Sequence, residues 1–243
     1  QLSLLEALTK DPKKTCLVDS WSMDYEIPNN ESMSLREIFS TKKGEYLELL
    51  RQLGLAQRIN SNLSTSSSPA LPQNGFVYLV PGSVWATKMW PLENFTELAK
   101  QLDQAGYQVL ITGAKAEEII CDKICKQVPN AINIAGKTSL YQSALLFHFA
   151  KLVIANDSGA MHLAATQDTP TIALLGPTVL RFGYRPWNNN AKVIENNQVR
   201  CRPCGKHGPN KCPIGTHECM RSITPEAVFA KAKQLLRRKW VTP

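Results

Sequence analysis

The run Asn156-Asp157-Ser158-Gly159-Ala160-Met161-His162 follows an apolar stretch and opens a helix. A short acid, a hydroxyl and a glycine at a strand end present backbone N–H groups and a helix N-terminus to an anion. His162, four residues after Ser158, projects from the first helical turn beside them. Three further loops carry compatible chemistry. Pro81, Gly82 and Ser83 open the run PGSVWATKMWP, in which Lys88 precedes a helix and can reach a diphosphate as a point charge. Thr112 to Glu118 (TGAKAEE) places two acids in a first helical turn, where Glu117 can either complement the helix dipole or bond a ribose hydroxyl. Gly176-Pro177-Thr178 is a second turn of small residues with a hydroxyl, and its strand follows the Asp157 loop in sequence. Neither G-x-G-x-x-G nor G-x-x-x-x-G-K-[ST] occurs, which argues against a standard dinucleotide or P-loop site.

These loops require strands that end together. Continuous apolar runs at 76–80, 107–111, 131–134, 152–155 and 171–175 alternate with helical patterns at 92–105, 116–126, 140–150 and from 159. In the first helix Leu92, Phe95, Leu98, Ala99, Leu102 and Ala105 recur at three- and four-residue spacing, and Gly106 ends it. Such alternation predicts an α/β domain: a Rossmann-like, doubly wound parallel sheet with helices on both faces, binding its ligand at the carboxyl ends of the strands. A last helix over 225–238 takes Thr224 as N-cap and Pro225 in its first turn. Ahead of this domain, a short strand at 15–18 and a helix at 44–53 precede a Ser- and Asn-rich stretch. Three parts are expected: 1–59, a partial N-terminal domain; 60–74, a linker; and 75–243, the Rossmann-like domain, with a four-cysteine loop at 201–219.

The 243 residues, 43% of them hydrophobic, suffice for a well-packed core. A formal charge of +8, from 28 Lys and Arg against 20 Asp and Glu, suits an anionic partner. Nucleic acid is not expected, because the densest basic run, Arg237-Arg238-Lys239, closes a helix and lacks interleaved aromatics. With neither a membrane-length apolar run nor a basic-then-apolar leader, a cytoplasmic protein is expected. Seven cysteines, an odd number, with Cys16, Cys121 and Cys125 inside ordinary elements, also favour a reducing compartment. The other four, Cys201, Cys204, Cys212 and Cys219, occupy one loop with His207 and His217 among them. Their spacing allows a structural zinc site, the first expectation, with disulfides or unpaired thiols as alternatives. No open ligand triad is present for a catalytic metal, so no cofactor is expected in the chemistry.

From about Phe76 onward the chain resembles the C-terminal domain of glycosyltransferase family 9, the lipopolysaccharide heptosyltransferases. The resemblance rests on PGSVWATKMWP, TGAKAEE, the D-S-G-x-x-H pattern of Asp157 to His162, GPT at Gly176 to Thr178, and C-M-x-x-I-x-P-E at Cys219 to Glu226. It implies the C-terminal half of a GT-B glycosyltransferase, holding ADP-heptose opposite a domain for the lipid A-core acceptor. In its terms Lys88 faces phosphate, Glu117 binds ribose, Asp157 binds a sugar hydroxyl, and Ser158, Gly159 and His162 cradle the pyrophosphate, with Ser83, Gly176 and Thr178 lining the same donor site. The family's inverting transfer uses an acidic base near the protein's start. A full acceptor domain is on the order of 150 residues, so the segment before the linker reads as the tail of one, and no base is assigned here. A lipid-linked acceptor and a positive charge imply peripheral contact with an anionic inner membrane. Two competing readings are a transferase using another nucleotide sugar and a non-catalytic nucleotide-sugar-binding module.

Overall fold

The computed structural model describes residues 43–55 and 74–237. Within them β1 (Phe76–Val80), β2 (Gln108–Ile111), β3 (Ile132–Asn133), β4 (Leu152–Asn156), β5 (Thr171–Leu175) and β6 (Ala191–Glu195) form one sheet in the order β3-β2-β1-β4-β5-β6. Every neighbouring pair is parallel. The order reverses between β1 and β4, the switch point at which doubly wound sheets bind ligands. Val80 lies opposite Ala155 and Asn156 opposite Leu174, so the loops leaving β1, β4 and β5 emerge at one level.

Strands β1, β4 and β5 are buried throughout and mostly apolar because both faces are covered. Val77, Leu79, Leu152, Ile154, Ile172 and Leu174 face one side, beneath α2 (Leu92–Gln104), α3 (Glu118–Cys125) and α7 (Pro225–Leu236). Their sequence neighbours Phe76, Tyr78, Val80, Val153, Ala155, Ala173 and Leu175 face the other, beneath α1 (Lys43–Gln52), α4 (Leu140–His148) and α5 (Gly159–Thr166). The period-two split is the strand geometry itself. On α2, Phe95, Leu98, Ala99 and Leu102 are fully buried, and Gly106, at φ +82°, follows its end. The hydroxyl of Ser139 accepts from Gln142 N at 3.2 Å and Gln142 Oε1 accepts from Ser139 N at 2.9 Å, a capping box that starts α4. Thr224 Oγ1 accepts from Ala227 N at 3.2 Å at the start of α7.

The doubly wound α/β class matches expectation, and several local details differ. Strand β3 contracts to two residues, and β6 together with α6 (Glu218–Arg221) was not anticipated. β6 is a half-buried edge strand, AKVIE, whose Lys192 and Glu195 interrupt any apolar run. The expected strand at 15–18, with Cys16, and all of the 60–74 linker but Asn74 lie outside the described residues, as does Arg238. Helix α1, grouped by sequence with the acceptor-side segment, packs on this sheet. Tyr46, Leu49, Leu50 and Leu55 share a core with Tyr78 and Phe147, and Tyr141 Oη donates to Glu45 Oε2 at 3.0 Å.

Candidate nucleotide-binding site

At the switch point the loops after β1 and β4 are bound to each other by Asn156, the last residue of β4 and fully buried. Its Oδ1 accepts from Trp90 N at 3.0 Å, and its Nδ2 donates to Pro81 O at 2.8 Å and Gly82 O at 3.3 Å. The indole of Trp90 donates to Ile223 O at 2.8 Å, which adds the turn before α7 to the same frame. Asn156 was not among the expected site residues; its signal is a polar residue closing an otherwise apolar strand.

Lys88 sits in a single 3-10 turn, Ala86–Lys88, that aims its side chain across the crevice. Its Nζ lies 2.8 Å from Asp157 Oδ2, and both side chains are buried, at 8% and 4% exposure. Thr178 Oγ1 donates to the same oxygen at 2.6 Å. Three residues from three loops thus converge on one carboxylate oxygen, as their strand-end positions imply. The amine is paired with an acid rather than presented alone, yet it needs only one of its three donors for Asp157.

Ser158 is the N-cap of α5 in extended conformation, but its hydroxyl caps nothing: Ser158 Oγ is buried without a hydrogen-bond partner. In the first turn of α5 the N–H of Met161 donates to Ser158 O at 3.2 Å, while those of Gly159 and Ala160 have no intrahelical acceptor by geometry. A Cβ built on Gly159 would meet nothing within 4 Å, so the protein's own packing leaves open space there. Burial holds the His162 imidazole below its ordinary pKa, the neighbouring Lys88 acts in the same direction, and Asp157 opposes both. It is therefore neutral near pH 7.

Glu117 reaches from the β2 side into this wall. Its Oε2 accepts from Ala114 N at 2.8 Å, and a Cβ on Gly82 would stand 1.8 Å from its Oε1, so only glycine admits the carboxylate there. Burial raises its pKa, against the hydrogen bond from Ala114. Ser83 is half-buried in the same β1 turn. Gly176 has a packing role, because a Cβ there would lie 2.4 Å from Met220 Sδ and 2.5 Å from its Cγ, and Met220 is fully buried. Gly176→Ala is expected to destabilise the protein by about 1–3 kcal/mol through overpacking, read as a lower midpoint in urea; an unchanged midpoint would mean Met220 moves freely.

The cysteine loop straps the crevice loops from outside. Arg202 is its anchor, and sequence gave no sign of this. Its guanidinium donates to Gly176 O, to Thr178 O at 2.7 Å, to Asn196 O at 2.7 Å, to Asn197 Oδ1 at 3.3 Å and to Glu195 Oε2 at 2.5 Å. Cys204 N donates to Pro177 O at 2.8 Å, His217 Nε2 pairs with Thr87 O at 2.7 Å, and Thr87 Oγ1 donates to Pro209 O. The thiols are spread through this strap: Cys219 is buried beside Gly176, Cys201 is exposed, and Cys204 and Cys212 are half-buried. Burial pushes the Cys219 thiol up to about 11, while hydrogen bonding from the backbone of His217, followed by that of Ile214, Gly215 and Thr216, lowers that of Cys212. Cys201, Cys204, Cys212 and Cys219 form no disulfide, and among the described residues no three His, Cys, Asp or Glu side chains are arranged to hold a metal ion. Cys219 is buried and Cys201 exposed, and Cys201, Cys204 and Cys212 all act electrostatically on the Cys219 thiol, so the four stand in one neighbourhood of the strap.

The family model for glycosyltransferase family 9 (heptosyltransferase) matches residues 12–213. Lipooligosaccharide heptosyltransferase 2 of Campylobacter jejuni serotype O:2 is 35% identical over 180 residues, which is 70% of this chain and 54% of the relative. Lipopolysaccharide heptosyltransferase 2 of Salmonella typhimurium is 34% identical over 184 residues, 72% of this chain and 50% of that one. Among solved structures, the E. coli ADP-heptose lps heptosyltransferase II superposes with a TM-score of 0.57 at 31% identity, covering 75% of this chain and 51% of its own. The family 9 glycosyl transferase of Veillonella parvula gives 0.58 at 25% identity, covering 78% and 51%. The chain spans about half the length of these curated relatives. With a family model matched across most of its length and the D-S-G-x-x-H loop at the switch point of its sheet, the chain belongs to glycosyltransferase family 9.

Proposed function

We propose that this chain is the donor-binding half of a GT-B heptosyltransferase, which transfers heptose from ADP-heptose to a lipopolysaccharide inner-core acceptor with inversion at the anomeric carbon. The observation that carries this reading is the meeting of Lys88, Asp157 and Thr178 beside the N-terminus of α5, where Ser158 has an unpartnered hydroxyl. In the transfer, an acceptor oxygen bonds to the anomeric carbon while that carbon's bond to the β-phosphate oxygen breaks, and the nucleoside diphosphate leaves with added negative charge. Lys88, with two donors beyond its bond to Asp157, and the N–H groups of α5 meet that charge. His162, neutral in the free protein, offers a nitrogen donor to the diphosphate. Asp157 retains lone pairs for a hydroxyl of the transferred sugar, and Glu117, on the β2 side, is placed for the ribose. The base that takes the acceptor proton is not among these residues, and this reading places it in the acceptor domain.

No helix of the described residues is long and apolar enough to cross a membrane. The reading puts the enzyme in the cytoplasm, meeting its lipid-linked acceptor at the inner leaflet through its positive charge. The donor site is tested by titrating ADP into Lys88→Ala and His162→Ala. Each is expected to weaken binding by about 1–3 kcal/mol, the usual loss for a charge-assisted hydrogen bond; unchanged affinity in both would place the diphosphate elsewhere.

A further inference from the structure

Four rings from three segments form a continuous ladder beside the Lys88–Asp157 pair. Trp85, after β1, lies parallel to His207 of the cysteine loop at 6.4 Å and 10°. His207 stacks on Tyr184 at 5.8 Å and 28°, and Tyr184 meets Phe182 at 6.2 Å; both of these follow β5. Lys88 Nζ stands 5.7 Å from the Tyr184 ring, and the Arg181 guanidinium 5.8 Å from Phe182.

Packing does not account for this ladder. Aromatic pairs that hold the core together are buried, as Trp90 and Phe95 are, at 4.9 Å with exposures of 1% and 0%. Trp85 is 36% exposed and His207 is exposed, while the loops they stand on are already fastened by the bonds of Arg202, His217, Thr87 and Cys204. The ladder's position also separates it from the nucleoside. Glu117 marks the β2 side of the crevice, whereas Tyr184 and Phe182 rise from the β5 side, with β1 and β4 between. A donor whose ribose lies at Glu117 and whose diphosphate lies at Lys88 directs its sugar, and the acceptor beyond it, toward the ladder.

We propose that Trp85, His207 and Tyr184 form a stacking platform for a saccharide of the acceptor, one that carries anionic groups. This rests on the donor site proposed above. A pyranose has a C–H face that lies well on an aromatic ring and a rim of hydroxyls that stays wet, which suits half-exposed rings. The exposed Arg181, against Phe182 at the end of the ladder, and the exposed Lys206, next in sequence to His207, suit phosphate or carboxylate substituents on that saccharide.

The test titrates a deacylated, phosphorylated lipopolysaccharide core oligosaccharide into the full chain with ADP present, alongside separate titrations of ADP and ADP-heptose. Trp85→Ala is expected to weaken the oligosaccharide about fivefold, as for a lost stacking contact, while Trp85→Phe restores it and ADP binds all variants alike. Equal oligosaccharide affinity in wild type and Trp85→Ala, or none in the wild type while ADP binds, would overturn the platform and leave the donor site standing. A loss confined to ADP-heptose would assign the ladder to the donor sugar and overturn the acceptor reading. Failure of the wild type to bind ADP would overturn the donor site, and the platform with it.

Discussion

Asp157→Ala is expected to lower the free energy of unfolding by about 3–5 kcal/mol, the usual consequence of removing one partner from a buried ion pair. Lys88 and Asp157 are 8% and 4% exposed, so the variant leaves an ammonium with little water and no counter-charge. It also takes away the acceptor of Thr178 Oγ1. The pair itself contributes less than that figure, because both charges lost hydration on folding. A double variant separates the two effects: Asp157→Ala with Lys88→Met removes both charges and is expected to recover most of the stability, while ADP binding stays weakened by the loss of Lys88. Urea unfolding of the three proteins decides this. Equal midpoints for wild type and Asp157→Ala would mean that Lys88 reaches water and that the pair is a surface contact.

Arg202→Ala carries the second large expectation, again about 3–5 kcal/mol. Its side chain is 3% exposed, and removing it leaves Glu195, at 8%, as a buried carboxylate without its partner. The carbonyls of Gly176, Thr178 and Asn196 lose a donor at the same time. Arg202→Lys should rescue little, because a single ammonium cannot span acceptors that the planar guanidinium holds together. The effect is expected to reach the ligand through Thr178, whose hydroxyl helps place Asp157, so ADP should bind more weakly to whatever fraction folds. Full rescue by lysine would reduce Arg202 to a point charge and remove its part in positioning the crevice.

Much of this was legible in the residues, for reasons that also explain what was not. β1, β4 and β5 stand out as unbroken apolar runs because helices cover both of their faces, and α2 and α7 show through helical spacing and their end signals. β6 pairs along one edge only and is half-buried along its length, so its sequence carries no run to find. Lys88, Asp157 and Thr178 each stand after a strand end, and a parallel sheet brings such positions together once its order is known. The order is not local information, and neither are the bonds of Asn156 to Pro81 and Trp90 or those of Arg202 to the β5 turn, which join residues far apart in the chain.

The donor assignment is tested most directly by calorimetric titration of this chain with ADP, ADP-heptose, UDP and UDP-glucose. Adenine-selective binding, tightest for ADP-heptose and weakened in Asp157→Ala/Lys88→Met, is the expected result. A preference for the uridine nucleotides would contradict the donor named here, and no binding of any of the four would contradict the nucleotide site itself.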